Sequence, residues 1–189
     1  MTYQGETTLN IALVHHPVVN KRAEIIGSAV TNLDIHDIAR SARTYGVARY
    51  FLATPYEDQQ LLVRELLAHW ETGHGATYNP ARKEALSIVC LVDSLTSAIN
   101  ELTQKYGKRP MLVTTSALLR ETTVGYNEVA QKIKSKEPVL LIFGTAHGLA
   151  QEIIDLSDVT LPPIKGGTNY NHLSVRSAVS IILDRLLGT

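Results

Sequence analysis

Short apolar runs alternate with segments of helical periodicity along almost the whole chain of 189 residues. Each apolar run is nearly continuous, as is typical of a strand that is covered on both faces. The predicted strands cover residues 9–14, 48–53, 86–92, 111–114, 139–143 and 159–161. The predicted helices cover residues 33–45, 57–71, 94–106, 125–135 and 173–187. Strand followed by helix, repeated, predicts an α/β fold with a mainly parallel sheet and helices on both faces.

The composition is that of one globular domain spanning residues 1–189. Hydrophobic residues make up 44% of the chain and charged residues 19%, and no repeat or Pro/Gly/Ser-rich linker marks a boundary. No apolar run is long enough for a membrane helix, and the first residues lack the pattern of a signal peptide. The single cysteine, Cys90, lies in an apolar run and excludes an intrachain disulfide. We therefore expect a cytoplasmic protein without a membrane partner.

The charge and the missing motifs narrow the possible functions. Lys and Arg number 18 and Asp and Glu number 18, so the formal net charge is +0. Proteins that bind nucleic acid usually have a basic excess, so any RNA-binding charge here must be local. The sequence has no phosphate-binding loop of the Walker type, no dinucleotide-binding glycine motif and no nucleophile elbow. Its seven histidines form no cluster with ligand spacing, and we expect no metal.

The ends of the helices are marked by capping residues. Asn32 and Asp93 precede helical segments and are expected to cap their N-termini. Gly46 and Gly107 follow helical segments and are expected to end them.

The stretch over residues 31–47 combines an apolar face with a polar stripe. Asn32, His36, Arg40 and Arg43 step by four, four and three residues and therefore stack on one side of the predicted helix. One interpretation is a solvated helix face. The other is that the two arginines and the histidine converge on a phosphate or a reacting ribose.

Two further stretches place glycines and prolines after predicted strands. Residues 139–150 run from an apolar strand into Gly-Thr-Ala-His-Gly, and residues 161–168 hold two prolines and two glycines in a short loop. Glycine lets backbone approach a ligand closely, although ordinary turn chemistry also explains it. Because ligands of parallel sheets bind beyond the carboxyl ends of the strands, we expect the chemistry in the loops after Thr114, Phe143 and Leu161.

The last predicted helix, residues 173–187, is apolar around much of its circumference. This pattern indicates burial on more than one side. Either the helix is threaded into the domain, or it packs against a second subunit.

Taken in order, these three stretches resemble the three motifs of the SPOUT superfamily of knotted RNA methyltransferases. The first stretch resembles the SpoU-type Ile-Ala-Arg-x-Ala pattern, with matches at Asn32, Ile38, Ala39, Arg40, Ala42, Tyr45, Gly46 and Val47. The second resembles the apolar strand before Phe-Gly-Ser/Thr, with matches at Phe143, Gly144, Thr145, Gly148 and Leu149. The third resembles the Pro-x-x-Gly loop and Ser-Val helix start, with matches at Leu161, Pro162, Gly166, Ser174 and Val175. The chain is most similar to a small bacterial group related to the tRNA guanine-N1 methyltransferases.

Two positions depart from the SpoU-type pattern. An acidic residue usually follows the glycine of the second motif, where this sequence has Ala146 and His147. An asparagine usually precedes the Ser-Val pair, where this sequence has His172. Both departures concern the methyl acceptor more than the cofactor loops, which act largely through backbone groups.

The resemblance implies a fold, a cofactor and a set of site residues. It implies a C-terminal deep trefoil knot, an obligate homodimer and S-adenosylmethionine bound in the knot. The cofactor-binding residues implied are Thr114, Thr115, Phe143, Gly144, Thr145, Gly148, Leu161, Pro162, Ile164, Gly166, Gly167, Asn169 and Leu173. The catalytic residues implied are Arg40, Asn32 and His172, and the RNA-binding residues are Arg43, His36 and Lys165. The acceptor implied is tRNA or rRNA.

Three other functions fit parts of the sequence. A knotted domain could bind S-adenosylmethionine or RNA without turnover, which the two departures and the neutral charge favour. An enzyme could use the same cofactor on a small molecule or a protein. A flavodoxin-like domain would bind its ligand after the first strand, near His15, His16 and Pro17, but no phosphate-binding loop is evident there.

Overall fold

A parallel sheet forms the centre of the molecule in this computed structural model, which describes residues 7–72, 77–117, 122–168 and 170–188. Its six strands lie in the order β5-β4-β1-β7-β6-β8, and every neighbouring pair is parallel. The strands are β1 (Leu9–Val14), β4 (Arg49–Ala53), β5 (Val89–Val92), β6 (Met111–Thr115), β7 (Val139–Gly144) and β8 (Val159–Leu161). The predicted parallel sheet is therefore confirmed.

The order of the strands creates a switch point between β1 and β7. The chain runs outward from β1 through β4 to β5, crosses to β6, and then returns to insert β7 between β1 and β6. At such a point the connections leave the sheet in opposite directions and open a crevice at the carboxyl ends of the strands. The turn after β7 and the residues after β1 therefore lie at the place where a ligand is expected.

Helices cover both faces of the sheet, as the sequence predicts. They are α1 (Asn32–Thr44), α2 (Glu57–Glu71), α3 (Pro80–Leu86), α4 (Leu95–Tyr106), α5 (Tyr126–Lys134), α6 (Gln151–Leu156) and α7 (Val175–Leu187). Alternate residues of β1 face opposite sides: Leu9, Ile11 and Leu13 join the cluster beneath α1, α5 and α7, whereas Ala12 and Val14 join the cluster beneath α4. The core is thus divided into two layers by the sheet.

Three elements are absent from the sequence-based prediction. An antiparallel hairpin, β2 (Val18–Val19) with β3 (Ile25–Ile26), separates β1 from α1. Two-residue strands are too short to show a period, which explains why the pattern missed them. Helix α3 occupies part of the predicted strand 86–92, so β5 starts only at Val89. The Asn79–Pro80 pair marked its start, because the Asn79 side chain accepts from the Arg82 N–H and proline favours the first helical position. Helix α6 spans six residues and is also too short for periodicity to reveal.

Two of the predicted caps are wrong and two are confirmed. Thr31, not Asn32, caps α1, since its hydroxyl accepts from the Asp34 N–H at 3.1 Å. Ser94, not Asp93, caps α4 by accepting from the Ser97 N–H at 3.2 Å. In both cases the hydroxyl of the residue beside the predicted position accepts the capping hydrogen bond. Gly46 and Gly107 both have φ +71, a left-handed conformation that glycine adopts at little cost.

The C-terminal helix α7 packs against α1 and α5. Val179, Ile182, Leu183 and Leu186 are buried in the layer beneath these helices. The helix begins at Val175 rather than at 173, because the Ser174 hydroxyl caps it by accepting from the Ser177 N–H. Within the described ranges, no helix is long and apolar enough to cross a membrane.

Candidate functional site

The ends of β6, β7 and β8 meet at the carboxyl edge of the sheet, where the sequence predicts the cofactor. Three contacts join the segments that leave this edge. The Asn171 side-chain amide donates to the Ala117 carbonyl at 3.3 Å, and the Tyr126 hydroxyl donates to the Pro162 carbonyl at 3.2 Å. The Val124 N–H donates to the Thr160 carbonyl at 2.9 Å. The loops after β6 and β8 and the segment before α7 therefore form one connected surface.

The turn after β7 is folded tightly on itself. A Cβ on Gly144 would lie 2.7 Å from the Leu149 backbone nitrogen, so only glycine fits there. Ala146 and Gly148 have φ +51 and φ +117, and the Thr145 hydroxyl donates to the Val14 carbonyl at 3.1 Å. The sequence predicts that Gly144 gives room to a ligand, but the structure shows that the room is taken by the returning chain.

The loop after β8 has the opposite character. A Cβ added to Gly166 or Gly167 would meet nothing within 4 Å, and Lys165 is exposed. Within the described part of the chain, neither Ile164 nor Leu173 has a backbone hydrogen bond. Leu173 also leaves 47% of its surface exposed. This loop therefore offers free backbone groups and open space, which a buried purine base needs for its polar edge.

Several predicted cofactor residues can contribute only their backbone groups. The side chains of Phe143 and Leu161 lie in the core. Thr114 is buried, and its hydroxyl bonds that of Thr160 at 2.9 Å, which ties β6 to β8. The Thr115 hydroxyl donates to the Ile142 carbonyl at 3.2 Å. Asn169 lies outside the described residues.

The predicted polar stripe on α1 is divided between two environments. The His36 ring lies 5.4 Å from the Trp70 ring in an edge-on contact, and Arg43 forms an ion pair of 2.7 Å with Glu84. Burial, and then the nearby Arg82, lower the pKa of His36. Asn32 and Arg40 are exposed, and no ion pair to Arg40 occurs within the described ranges. Arg40 lies about 12 Å along the helix axis from Asn32, where the helix begins.

The third predicted catalytic residue, His172, is exposed beside the open loop. Its ring lies 5.4 Å from that of Tyr170 in an edge-on contact, and both residues are exposed. The structure therefore places His172 near the candidate cofactor loop, and Arg40 farther away on α1.

A buried ion pair that the sequence did not reveal joins α1 to α7. The Asp34 carboxylate is 6% exposed and receives hydrogen bonds from Arg176 at 2.8 Å and from the Thr31 hydroxyl at 2.7 Å. The Ser41 and Ser180 hydroxyls bond each other at 2.8 Å, and the Tyr45 hydroxyl donates to Asp184 at 2.9 Å. The spacing of 142 residues between Asp34 and Arg176 left no signal in the sequence.

His15 is a second buried polar group that the sequence analysis did not assign to the site. It follows β1, and its Nδ1 lies 3.1 Å from the Ser28 hydroxyl, which in turn contacts the Thr145 hydroxyl. Its Nε2 is buried and has no partner within the described residues. Burial lowers the pKa of the His15 imidazole, and attraction to Asp34 offsets only part of that effect.

A cleft of about 980 Å³ lies at the opposite, amino edge of the sheet, lined by residues such as Tyr45, Arg49 and Asp184. In a parallel sheet the connections that bind ligands leave from the carboxyl ends. We therefore place the candidate site at the carboxyl edge. No cluster of side chains suited to a metal occurs among the residues that were described.

Comparison with known proteins shows which family the sequence of this chain matches. A family model described as SAM-dependent RNA methyltransferase matches residues 8–188. A protein of Aquifex aeolicus without an assigned function is 38% identical over 179 residues, which cover 94% of this chain and 87% of that protein. Two proteins named tRNA (guanine-N(1)-)-methyltransferase, from Oleidesulfovibrio alaskensis and Nitratidesulfovibrio vulgaris, are 47% and 44% identical over 95% of this chain. The chain spans only 42% of the length of each of these two.

Solved structures share the fold at low sequence identity. The TrmH/SpoU tRNA modifying enzyme of A. aeolicus is 18% identical, with a TM-score of 0.55 over 96% of this chain and 74% of that chain. The SpoU methyltransferase AviRb of Streptomyces viridochromogenes, solved with AdoMet, is 16% identical, with a TM-score of 0.57 over 97% of this chain and 61% of that chain. These likenesses support the fold.

Proposed function

Because this chain belongs to the SAM-dependent RNA methyltransferase family, we propose that it transfers the methyl group of S-adenosylmethionine to RNA. The observation that carries the proposal is the open loop after β8. Ile164 and Leu173 leave backbone groups unused there, and Gly166 and Gly167 leave space beside them. Such a loop fits a ligand whose polar atoms can form hydrogen bonds with these backbone groups, as the edge of an adenine base can.

The residues at the carboxyl edge fit S-adenosylmethionine in the following way. Backbone groups at Leu161, Ile164 and Leu173 would bind the adenine edge. The space at Gly166 and Gly167 would take the ribose or the methionine part. Backbone at Thr115, Phe143, Gly148 and Pro162 would complete the walls, whereas the hydroxyls of Thr114 and Thr145 hold the fold rather than the ligand.

S-adenosylmethionine supplies a methyl group on a sulfonium and thus needs no further activation. The chain must align the acceptor and manage one proton. We assign to Arg40 the stabilisation of negative charge on the acceptor or of a nearby phosphate, since a guanidinium stays charged and cannot act as an ordinary base. His172, exposed beside the loop, would accept the proton, and Asn32 would orient the nucleotide.

The position of Arg40 supports a homodimer. Its exposed side chain lies about 12 Å along α1 from Asn32, where the helix begins. A second copy packed along α1 and α7 would bring another carboxyl edge to this arginine. Light scattering in solution measures the mass; we expect twice the 20.8 kDa of one chain, and a strictly monomeric protein would contradict the dimer.

The path of the C-terminal segment supports a trefoil knot. The segment before α7 contacts Ala117 in the loop after β6, and α7 then lies between α1 and α5, deep against β7. This course fits a chain that passes through the loop between β6 and α5.

We also propose a cytoplasmic location, because the proposed acceptor is RNA.

We propose tRNA as the first acceptor to test, because two relatives are named for it. Their named activity belongs to proteins more than twice as long as the segment matched here, so the guanine N1 position is one candidate atom among others. Of the proposed RNA-binding residues, Lys165 is exposed and has no ion pair in the described part of the chain, whereas Arg43 and His36 already contact Glu84 and Trp70.

The experiment measures transfer of radiolabelled methyl from S-adenosylmethionine to total bacterial tRNA and rRNA, with a protein extract as the competing acceptor. We expect label in RNA and none in protein. Label in protein, or in small molecules alone, would assign the chain to another acceptor class.

A second candidate function is binding without turnover. It is favoured by Ala146 and His147, which stand after the glycine turn where a carboxylate is usual, and both of which are exposed. If S-adenosylmethionine binds while no RNA accepts label, this second function replaces the first.

A further inference from the structure

The hairpin formed by β2 and β3 lies at the switch point of the sheet. It leaves the carboxyl end of β1 and returns to α1, with Val18 opposite Ile26 and Val19 opposite Ile25. It therefore stands on the same edge as the proposed cofactor loops, although it lies beyond the residues that the proposed function uses.

Backbone hydrogen bonds fix the hairpin to the turn after β7. The Val19 N–H donates to the Gly148 carbonyl, and the His147 N–H donates to the Val19 carbonyl, both at 3.0 Å. The Ala150 N–H donates to the Pro17 carbonyl at 3.3 Å, and Val18 is fully buried beneath the turn. The hairpin thus keeps a constant position relative to the glycine turn.

The tip of the hairpin is rigid and presents two cations. The Asn20 side-chain oxygen accepts from the Arg22 N–H at 2.8 Å and from the Glu24 N–H at 3.1 Å. The Ala23 N–H donates to the Asn20 carbonyl at 3.0 Å, with Ala23 at φ +62. Lys21 and Arg22 are exposed at the outer end. A preformed tip loses little conformational entropy when it binds.

The charges around the hairpin distinguish it from the opposite edge. At the amino edge, several cations are paired, as in the Arg43–Glu84 and Arg109–Asp158 contacts. Lys21 and Arg22 form no ion pair within the ranges that the structure describes. The one carboxylate at the tip, Glu24, receives a hydrogen bond from the Asn20 amide at 2.6 Å. In a chain of net charge +0, such local free cations are what would attract a polyanion.

We propose that the β2–β3 hairpin is an RNA-binding element in which Lys21 and Arg22 contact backbone phosphates and position the RNA at the carboxyl edge, beside the glycine turn after β7. This inference rests on the proposed function, because it specifies how the same RNA is held. Contacts to phosphates position a nucleic acid without reading its sequence, so the hairpin would add affinity and leave the choice of nucleotide to the site.

The test compares the double variant Lys21→Glu/Arg22→Glu with a charge-matched control, Lys108→Glu/Lys134→Glu. The control residues are exposed and lie at the amino edge, before β6 and before β7. The readouts are methyl transfer to total bacterial RNA as a function of RNA and salt concentration, the Kd for S-adenosylmethionine, and the melting temperature. For the hairpin variant we expect kcat/KM for RNA to fall roughly tenfold. Its dependence on log salt should become shallower by about 1.4 to 1.8 units, the effect of two lost phosphate contacts.

The outcomes separate this inference from the proposed function. In the hairpin variant, the Kd for S-adenosylmethionine and the melting temperature should match those of the control. Glu24→Gln should act in the opposite sense and raise kcat/KM, because it removes a negative charge from the tip. If the wild type methylates RNA and the hairpin variant behaves like the control, the hairpin assignment is wrong and the proposed function stands. If the wild type methylates no RNA, both are wrong.

Discussion

Two regions next to helix α7, its junction with α1 and the open loop that precedes it, differ in how their polar groups are bonded. At the α1–α7 junction, three polar pairs join the two helices: Asp34 with Arg176, Ser41 with Ser180, and Tyr45 with Asp184. The open loop, residues 162–168 with the segment 170–174, precedes the helix. Among the described residues, the backbone groups of Ile164 and Leu173 have no hydrogen-bond partner there, and open space lies beside Gly166 and Gly167. Water can satisfy the exposed backbone groups of the open loop, and a ligand can displace that water, whereas the paired groups of the junction hold the fold. The contrast therefore fits the proposed cofactor site.

Arg40 gives the largest expected effect, because we assign it to the methyl acceptor and no ion pair holds its guanidinium within the described residues. Arg40→Ala should lower kcat/KM for methyl transfer about 100- to 1,000-fold, the typical loss when a group that stabilises developing charge is removed. S-adenosylmethionine binding should stay within a few-fold of wild type. Arg43→Ala is the control, since Arg43 is already paired with Glu84; it should cost only a few-fold. Equal turnover in wild type and Arg40→Ala would remove Arg40 from the mechanism.

Asp34 tests the closed side of the comparison. Asp34→Ala should lower the free energy of unfolding by about 2 to 3 kcal/mol, because it removes the buried carboxylate that accepts hydrogen bonds from Arg176 and from the Thr31 hydroxyl. Asp37 lies 3.5 Å from the same guanidinium but is exposed, so Asp37→Ala should cost less than about 1 kcal/mol. Urea unfolding of both variants gives the two values. Similar losses in the two variants would mean that the junction does not depend on the buried pair.

Two glycines contrast the tightly packed turn after β7 with the open loop after β8. Gly144→Ala should destabilise the fold by about 1 to 3 kcal/mol, since the new Cβ would lie 2.7 Å from the Leu149 nitrogen. Gly167→Val should leave the melting temperature nearly unchanged, because its Cβ meets nothing within 4 Å. It should nevertheless weaken S-adenosylmethionine binding roughly tenfold by filling the space that we propose for the cofactor. Unchanged affinity in Gly167→Val would mean that the space at this loop belongs to no cofactor.

The sequence predicted the regular part of this fold well, because buried parallel strands and amphipathic helices leave periodic signals. Strands β1 and β8 and helix α2 have the predicted bounds, and the other predicted strands and helices occur with shifted ends. The order of the motifs also located the carboxyl edge. What the sequence could not show are contacts between distant residues, such as Asp34 with Arg176, and the two-residue strands of the hairpin. Gly144 and Gly167 both follow a predicted strand, and the sequence could not show that the first lies in a packed turn and the second in an open loop.

The smallest expected effect is the pH dependence of stability that His15 contributes. Burial lowers the pKa of His15 in the folded chain, so the unfolded chain binds more protons as the pH falls below about 6.5. His15 therefore contributes nothing to stability above that range, and it destabilises the folded state increasingly as the pH falls through it. His15→Asn should flatten the loss of melting temperature between pH 7.5 and 5.5. A steeper loss in His15→Asn would contradict the assignment.

The most direct test of the open loop as the cofactor site is a crystal structure of the protein with S-adenosylmethionine. We expect one molecule per chain at the carboxyl edge, with its adenine hydrogen-bonded to backbone at Ile164 and Leu173 and with space taken beside Gly166 and Gly167. S-adenosylmethionine bound instead in the cleft near Tyr45 and Asp184 at the amino edge, with the open loop unchanged, would contradict the central claim.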